Sequence, residues 1–101
     1  MPIITITKAN FEAEVEKSDK PVLLDFYATW CGPCRMLSPV VEEIAAERED
    51  IKVGKINVDE EVELARAFGI SSIPAVFVVK DGKVCGQSLG FVPKEKLLAL
   101  L

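Results

Sequence analysis

Polar and apolar residues change their spacing several times along this chain, and each change marks an element. Ile3, Ile4, Thr5, Ile6 and Thr7 are all β-branched, which predicts a short first strand over residues 3–7. Asn10 stands as a candidate cap ahead of Phe11 and Val15, whose i, i+4 spacing puts them on one helical face. Ser18, Asp19, Lys20 and Pro21 then read as a turn. Residues 22–28 are nearly all apolar, the pattern of a central strand covered on both faces, and Asp25 interrupts them.

Further on, Leu37, Val40, Val41, Ile44 and Ala45 recur at helical spacing and predict one buried stripe of a long helix. Pro39 lies inside that helix, where it removes a backbone hydrogen bond and is expected to kink the axis. A helix of this length is the usual crossover between parallel neighbours, so residues 51–58 read as a strand parallel to 22–28. Residues 61–68 carry Val62, Leu64, Ala65 and Phe68 as a second helix, with Gly69 placed to end it in a left-handed conformation. Residues 75–79 and 83–89 flank Asp81 and Gly82, a strong hairpin signal, and Pro93 opens a last helix running into Leu97, Leu98, Ala99, Leu100 and Leu101. The predicted order is βαβαβαββα, an α/β fold with a central mixed sheet flanked by helices on both faces.

Composition narrows what such a fold can do. The 101 residues, half of them apolar and 28% charged, suit one globular domain spanning 1–101, without linker, repeat or low-complexity segment. Asp and Glu outnumber Lys and Arg by 16 to 12, so the net charge is -4 and no positive field awaits nucleic acid or anionic lipid. No apolar run approaches the roughly 20 residues of a spanning helix, and residues 1–10 lack the pattern of a signal peptide. A soluble, cytoplasmic protein without nucleic-acid or membrane partners is expected.

The three cysteines, Cys31, Cys34 and Cys85, cannot all pair within the chain. Trp30-Cys31-Gly32-Pro33-Cys34 lies where a buried strand ends and a helix begins. Unpaired N–H groups and the positive end of the helix dipole favour a thiolate at Cys31. Cysteines at i and i+3 on a first helical turn are close enough to bond, so the pair reads as a reversible dithiol. Gly32 permits close approach of a partner backbone, and Pro33 suits a first helical turn. The chemistry expected is attack of Cys31 on a partner's disulfide, followed by attack of Cys34 on the resulting mixed disulfide, with no cofactor. The alternative, a zinc half-site, calls for four N or S ligands in a chain that has no His and one other Cys. Cys85 reads as a small buried hydrophobe. Lys55 alternates with apolar neighbours and reads as solvent-facing or charge-pairing. Trp30 is divided between core packing and a contact surface.

WCGPC after an apolar strand containing Asp25, Pro39 in the following helix, and Ile73-Pro74 before a hairpin together resemble the thioredoxin family over essentially the whole chain. The resemblance implies the thioredoxin fold and a monomeric protein-disulfide reductase recharged by a thioredoxin reductase, with disulfide-containing proteins as targets. It makes Cys31 the attacking cysteine, Cys34 the resolving one, Asp25 the buried carboxylate that moves protons for Cys34, and Lys55 the partner of Asp25. It also makes the Ile73-Pro74 bond cis, with the Ile73 backbone pairing to an extended substrate segment and Trp30, Gly32, Pro33 and Gly90 completing the contact surface. Asp25 read without the family is also consistent with a salt bridge that satisfies a buried charge. Tyr27, Ser72 and Ala75 replace the family's commoner tryptophan, glycine and threonine. An oxidase or isomerase, or a non-catalytic module binding through Trp30 and Pro74, is the alternative function.

Overall fold

The computed structural model describes residues 3–101; Met1 and Pro2, part of the expected domain and of the segment read for a signal peptide, lie outside it. Five strands form one mixed sheet in the order β1-β3-β2-β4-β5. They are β1 (Ile4–Thr5), β2 (Val22–Tyr27), β3 (Lys52–Asn57), β4 (Ala75–Lys80) and β5 (Lys83–Leu89), joined by α1 (Gly32–Glu47) and α2 (Val62–Ala67) and followed by α3 (Lys94–Leu98). β2 runs parallel to β3, as the crossover predicts, and β4 runs antiparallel to β5, as the hairpin signal predicts; β2 is also antiparallel to β4, and β1 is parallel to β3.

The near-continuous apolar run of β2 has the cause expected of it, because both its faces are covered. Val22, Leu24 and Phe26 join Val15, Ile56, Leu64 and Phe77 in one buried layer. There Phe11, Phe26, Phe68 and Phe77 meet with ring centroids 5.0 to 5.8 Å apart. Leu23 faces the other way, into Leu37, Val41, Ile44 and Ala45 of α1, Val76 and Val78 of β4 and Leu97 of α3. The helical stripe read from the sequence is therefore buried, with Val40 at its partly exposed margin. Pro39 stands on the exposed side of α1, and its ring leaves the Arg35 carbonyl without the helical donor it would otherwise have.

The N-terminal expectations need correction. The first strand shortens to Ile4–Thr5 because the chain turns at once: the Thr7 amide donates to Asn10 Oδ1 at 2.8 Å, and Asn10 Nδ2 donates to the Thr5 carbonyl at 2.9 Å. Asn10 thus closes the preceding turn instead of capping a helix. The helix after it is one π-helical turn, Glu12–Glu16, with the Lys17 amide reaching the Glu12 carbonyl at 2.9 Å. It still buries Val15. Ser18 closes the next turn through its hydroxyl and the Lys20 backbone.

Gly69 is left-handed at φ 66°, as the end of α2 requires, and Asp81 and Gly82 at φ 52° and 76° make the hairpin turn. Pro93 precedes α3 as its cap residue, one position outside the helix it was expected to open. Cys85 overturns its expectation of burial: it is exposed. Val84 pairs with Val79 and Gly86 with Val78, so Cys85 is the extra residue of a β-bulge on the edge strand.

Candidate active site

β2 ends at Tyr27, and after three intervening residues Cys31 takes up the cap position of α1 with extended backbone, φ -89° and ψ 113°. The Cys34 amide donates to Cys31 Sγ at 3.2 Å. One of the helix's unpaired N–H groups is thereby aimed at this sulfur, which is the local cause of a favoured thiolate. The Arg35 amide closes the first turn onto the Cys31 carbonyl at 3.2 Å. Gly32 and Pro33 open the helix, and a Cβ built on Gly32 meets nothing within 4 Å, so the space above it is open to a partner.

Cys31 and Cys34 are joined as a disulfide, their Cα atoms 5.2 Å apart and both residues buried. They pack with Ala28, Tyr27, Val58 and Ile73. The Ile73 carbonyl oxygen lies 3.9 Å from Cys31 Sγ, and the Ile73-Pro74 bond is cis. The Pro74 carbonyl accepts from the Gly90 amide at 2.8 Å, where Gly90 has the positive φ of 79° that favours glycine. The structure thus brings Ile73 to the dithiol at the end of the sheet where β2 finishes, with Pro74 behind it tied to Gly90.

Trp30 is 68% exposed and does not belong to the core. Its indole N–H donates to Asp59 Oδ2 at 2.8 Å, while the Asp59 amide donates to Asn57 Oδ1 at 2.9 Å. Trp30, Val58, Ala65, Ile70 and Ile73 line a shallow, mostly apolar groove of about 200 Å³ beside the cysteines. Asp59 escapes sequence reasoning because it stands among Glu60, Glu61 and Glu63 and looks like one more solvated acid.

Behind the disulfide, a cavity of about 220 Å³ is lined by Asp25, Tyr27, Cys34, Arg35, Ser38 and Lys55. Asp25 is 2% exposed, and its Oδ1 has no hydrogen-bond partner among the described residues. Burial pushes the Asp25 carboxyl up from 3.8 to about 6, against the opposing pull of the Lys55 ammonium. Lys55 is the cross-strand neighbour of Asp25, and its Nζ lies 4.8 Å from the centroid of the Tyr27 ring. Lys55 is half-buried, and among the described residues it makes no direct ion pair, although its charge still acts on Asp25. Among the described residues, no group of three or more His, Cys, Asp or Glu is arranged to hold a metal ion, and no helix is long and apolar enough to cross a membrane.

A family model described as Thioredoxin matches residues 2–101. The chain is 50% identical over 99 residues to a thioredoxin of Alicyclobacillus acidocaldarius, covering 97% of this chain and 93% of that one. It is 48% identical over 102 aligned positions to thioredoxins of Bacillus subtilis and of Pyropia yezoensis, which cover all of this chain and 96% and 95% of those proteins.

Proposed function

This chain belongs to the thioredoxin family of disulfide-reducing oxidoreductases, and we propose that Cys31 is its nucleophile, Cys34 its resolving thiol and Asp25 the acceptor of the Cys34 proton. The observation that carries the assignment is the Cys34 amide aimed at Cys31 Sγ from the first turn of α1. It supports negative charge on that sulfur.

In the dithiol form the Cys31 thiolate attacks one sulfur of a partner's disulfide. A mixed disulfide forms, and the partner's other sulfur leaves as a thiolate and takes a proton. Asp25, which shares a cavity with Cys34, accepts the Cys34 proton. The Cys34 thiolate then attacks Cys31 Sγ, the second partner sulfur leaves, and Cys31 and Cys34 end as the disulfide seen here. Two electrons have passed to the partner, and no cofactor takes part.

The partner's segment lies extended across Trp30, Gly32 and Pro33, pairing with the Ile73 backbone beside Pro74 and Gly90. The groove between Trp30 and Ile73 receives its apolar side chains. The protein acts as a monomeric single domain over 1–101, in the cytoplasm, and a thioredoxin reductase returns its electrons.

Cys34→Ser tests the assignment. With a disulfide-bonded protein substrate it is expected to accumulate the mixed disulfide through Cys31, visible as a covalent adduct released by reductant, whereas Cys31→Ser forms none. An adduct mapped to Cys85 in place of Cys31, or turnover by Cys31→Ser, overturns it. Equilibration of the wild type with glutathione buffers of known ratio, followed by thiol counting, separates a reductant from an oxidase.

A further inference from the structure

Alternation along β2 sends Asp25 and Tyr27 to the same face of the sheet as Leu23, towards α1. The parallel register sets Lys55 directly across from Asp25, so the lysine has two neighbours to choose between: the carboxyl opposite, or the aromatic ring one pleat further on. It takes the ring. Lys55 Nζ stands 4.8 Å from the Tyr27 centroid, within cation–π range, and among the described residues Lys55 forms no ion pair or side-chain hydrogen bond. The Asp25 Oδ1 it could have reached is unpartnered.

We propose that Tyr27 is a positioning residue: its ring holds the Lys55 ammonium beside the Asp25 carboxyl and not on it, which leaves that carboxyl free to take up and release a proton. The proposal rests on the reading of Asp25 as proton acceptor. A direct ion pair would lock Asp25 in its charged form and weaken it as a base. The other groups around the cavity leave this role to Lys55. On α1, Arg35 donates through Nη1 to the Thr29 carbonyl at 2.9 Å, and Cys34 is the proton donor; Glu42 meets Lys55 only in a separate outer cleft. β4 contributes apolar Val76 opposite Asp25.

The test follows the Asp25 carboxyl by its carbon-13 titration in the oxidised protein, in Tyr27→Phe, Tyr27→Leu, Lys55→Met and the Tyr27→Leu/Lys55→Met double variant. Tyr27→Phe keeps the ring and is expected to leave the Asp25 midpoint in place. Tyr27→Leu releases Lys55 towards Asp25 and is expected to lower the midpoint by about half to one pH unit. In the Lys55→Met background the same Tyr27→Leu change is expected to move nothing, since the cycle isolates the coupling. An unmoved midpoint in Tyr27→Leu overturns the proposal, as does an equal fall without Lys55, which marks water entry as the cause. The acid limb of mixed-disulfide resolution should move with the midpoint. A moved midpoint with a fixed limb overturns the role of Asp25 in the reaction, and with it the catalytic meaning of Tyr27, while the Tyr27 and Lys55 coupling is read separately from the titration.

Discussion

Asp25 is the one charged residue buried among the described residues, and a buried carboxyl costs stability whenever it is ionised. Its proton affinity is raised in the folded protein, from 3.8 to about 6, so the folded state binds the proton more tightly than the unfolded one. Stability must therefore fall as pH rises through that window, and the full cost, roughly 3 kcal/mol, is present above it. Asp25→Asn removes this dependence. In the oxidised protein its stability relative to wild type, measured by urea unfolding, is expected to gain roughly 2 kcal/mol between pH 4 and pH 8. A flat difference across that range contradicts the assignment. The same substitution is expected to slow resolution of the mixed disulfide near neutral pH by roughly tenfold to a hundredfold, at or below the usual contribution of a positioned base. Stability gained and rate lost in one variant is the signature of a residue kept for chemistry.

At the scale of elements, the close fit of β3 between its neighbours turns on Gly54. A Cβ there would stand 2.6 Å from Ile6 Cγ1 and 3.2 Å from Leu24 Cδ2, and both of those side chains are fully buried. Gly54→Ala must displace the Ile6 side chain from its buried place and is expected to destabilise the fold by about 1–3 kcal/mol, read as a lower urea midpoint with unchanged slope. The elements most legible in the sequence were those whose signal is local and redundant. β2 shows an apolar run, α1 a long stripe, and the β4-β5 turn an Asp-Gly pair that adopts positive φ at both residues. Residues 3–16 were less legible because Asn10 has two ways to spend its side chain. Closing the turn onto Thr5 and Thr7 won over capping, and the five-residue helix that followed took π geometry.

At the scale of the whole molecule, what the sequence could not reveal is which strand lies at the edge and which distant groups meet. Cys85 has the composition of a core residue, and only the sheet order and the bulge place it outside. In the native oxidised protein, one thiol is therefore expected to react with a maleimide without denaturant, and peptide mapping should find it at Cys85; an unreactive native protein contradicts the exposure. The dithiol itself was legible because its spacing and its strand-helix junction are both local. The hydrogen bond from Trp30 to Asp59, 29 residues away, was not, nor was the choice Lys55 makes between Tyr27 and Asp25.

The sheet order also has a consequence for how the site comes into being. β2 lies at the centre, yet its two neighbours, Lys52–Asn57 and Ala75–Lys80, both follow it in the chain. During synthesis, which proceeds from the N-terminus, Cys31 and Cys34 emerge well before Ile73 and Pro74, and no partial chain ending ahead of β4 can flank β2 on both sides. The nascent protein thus carries its two reactive sulfurs uncovered until the second half arrives, and its own redox surroundings act on them before it can act on anything else.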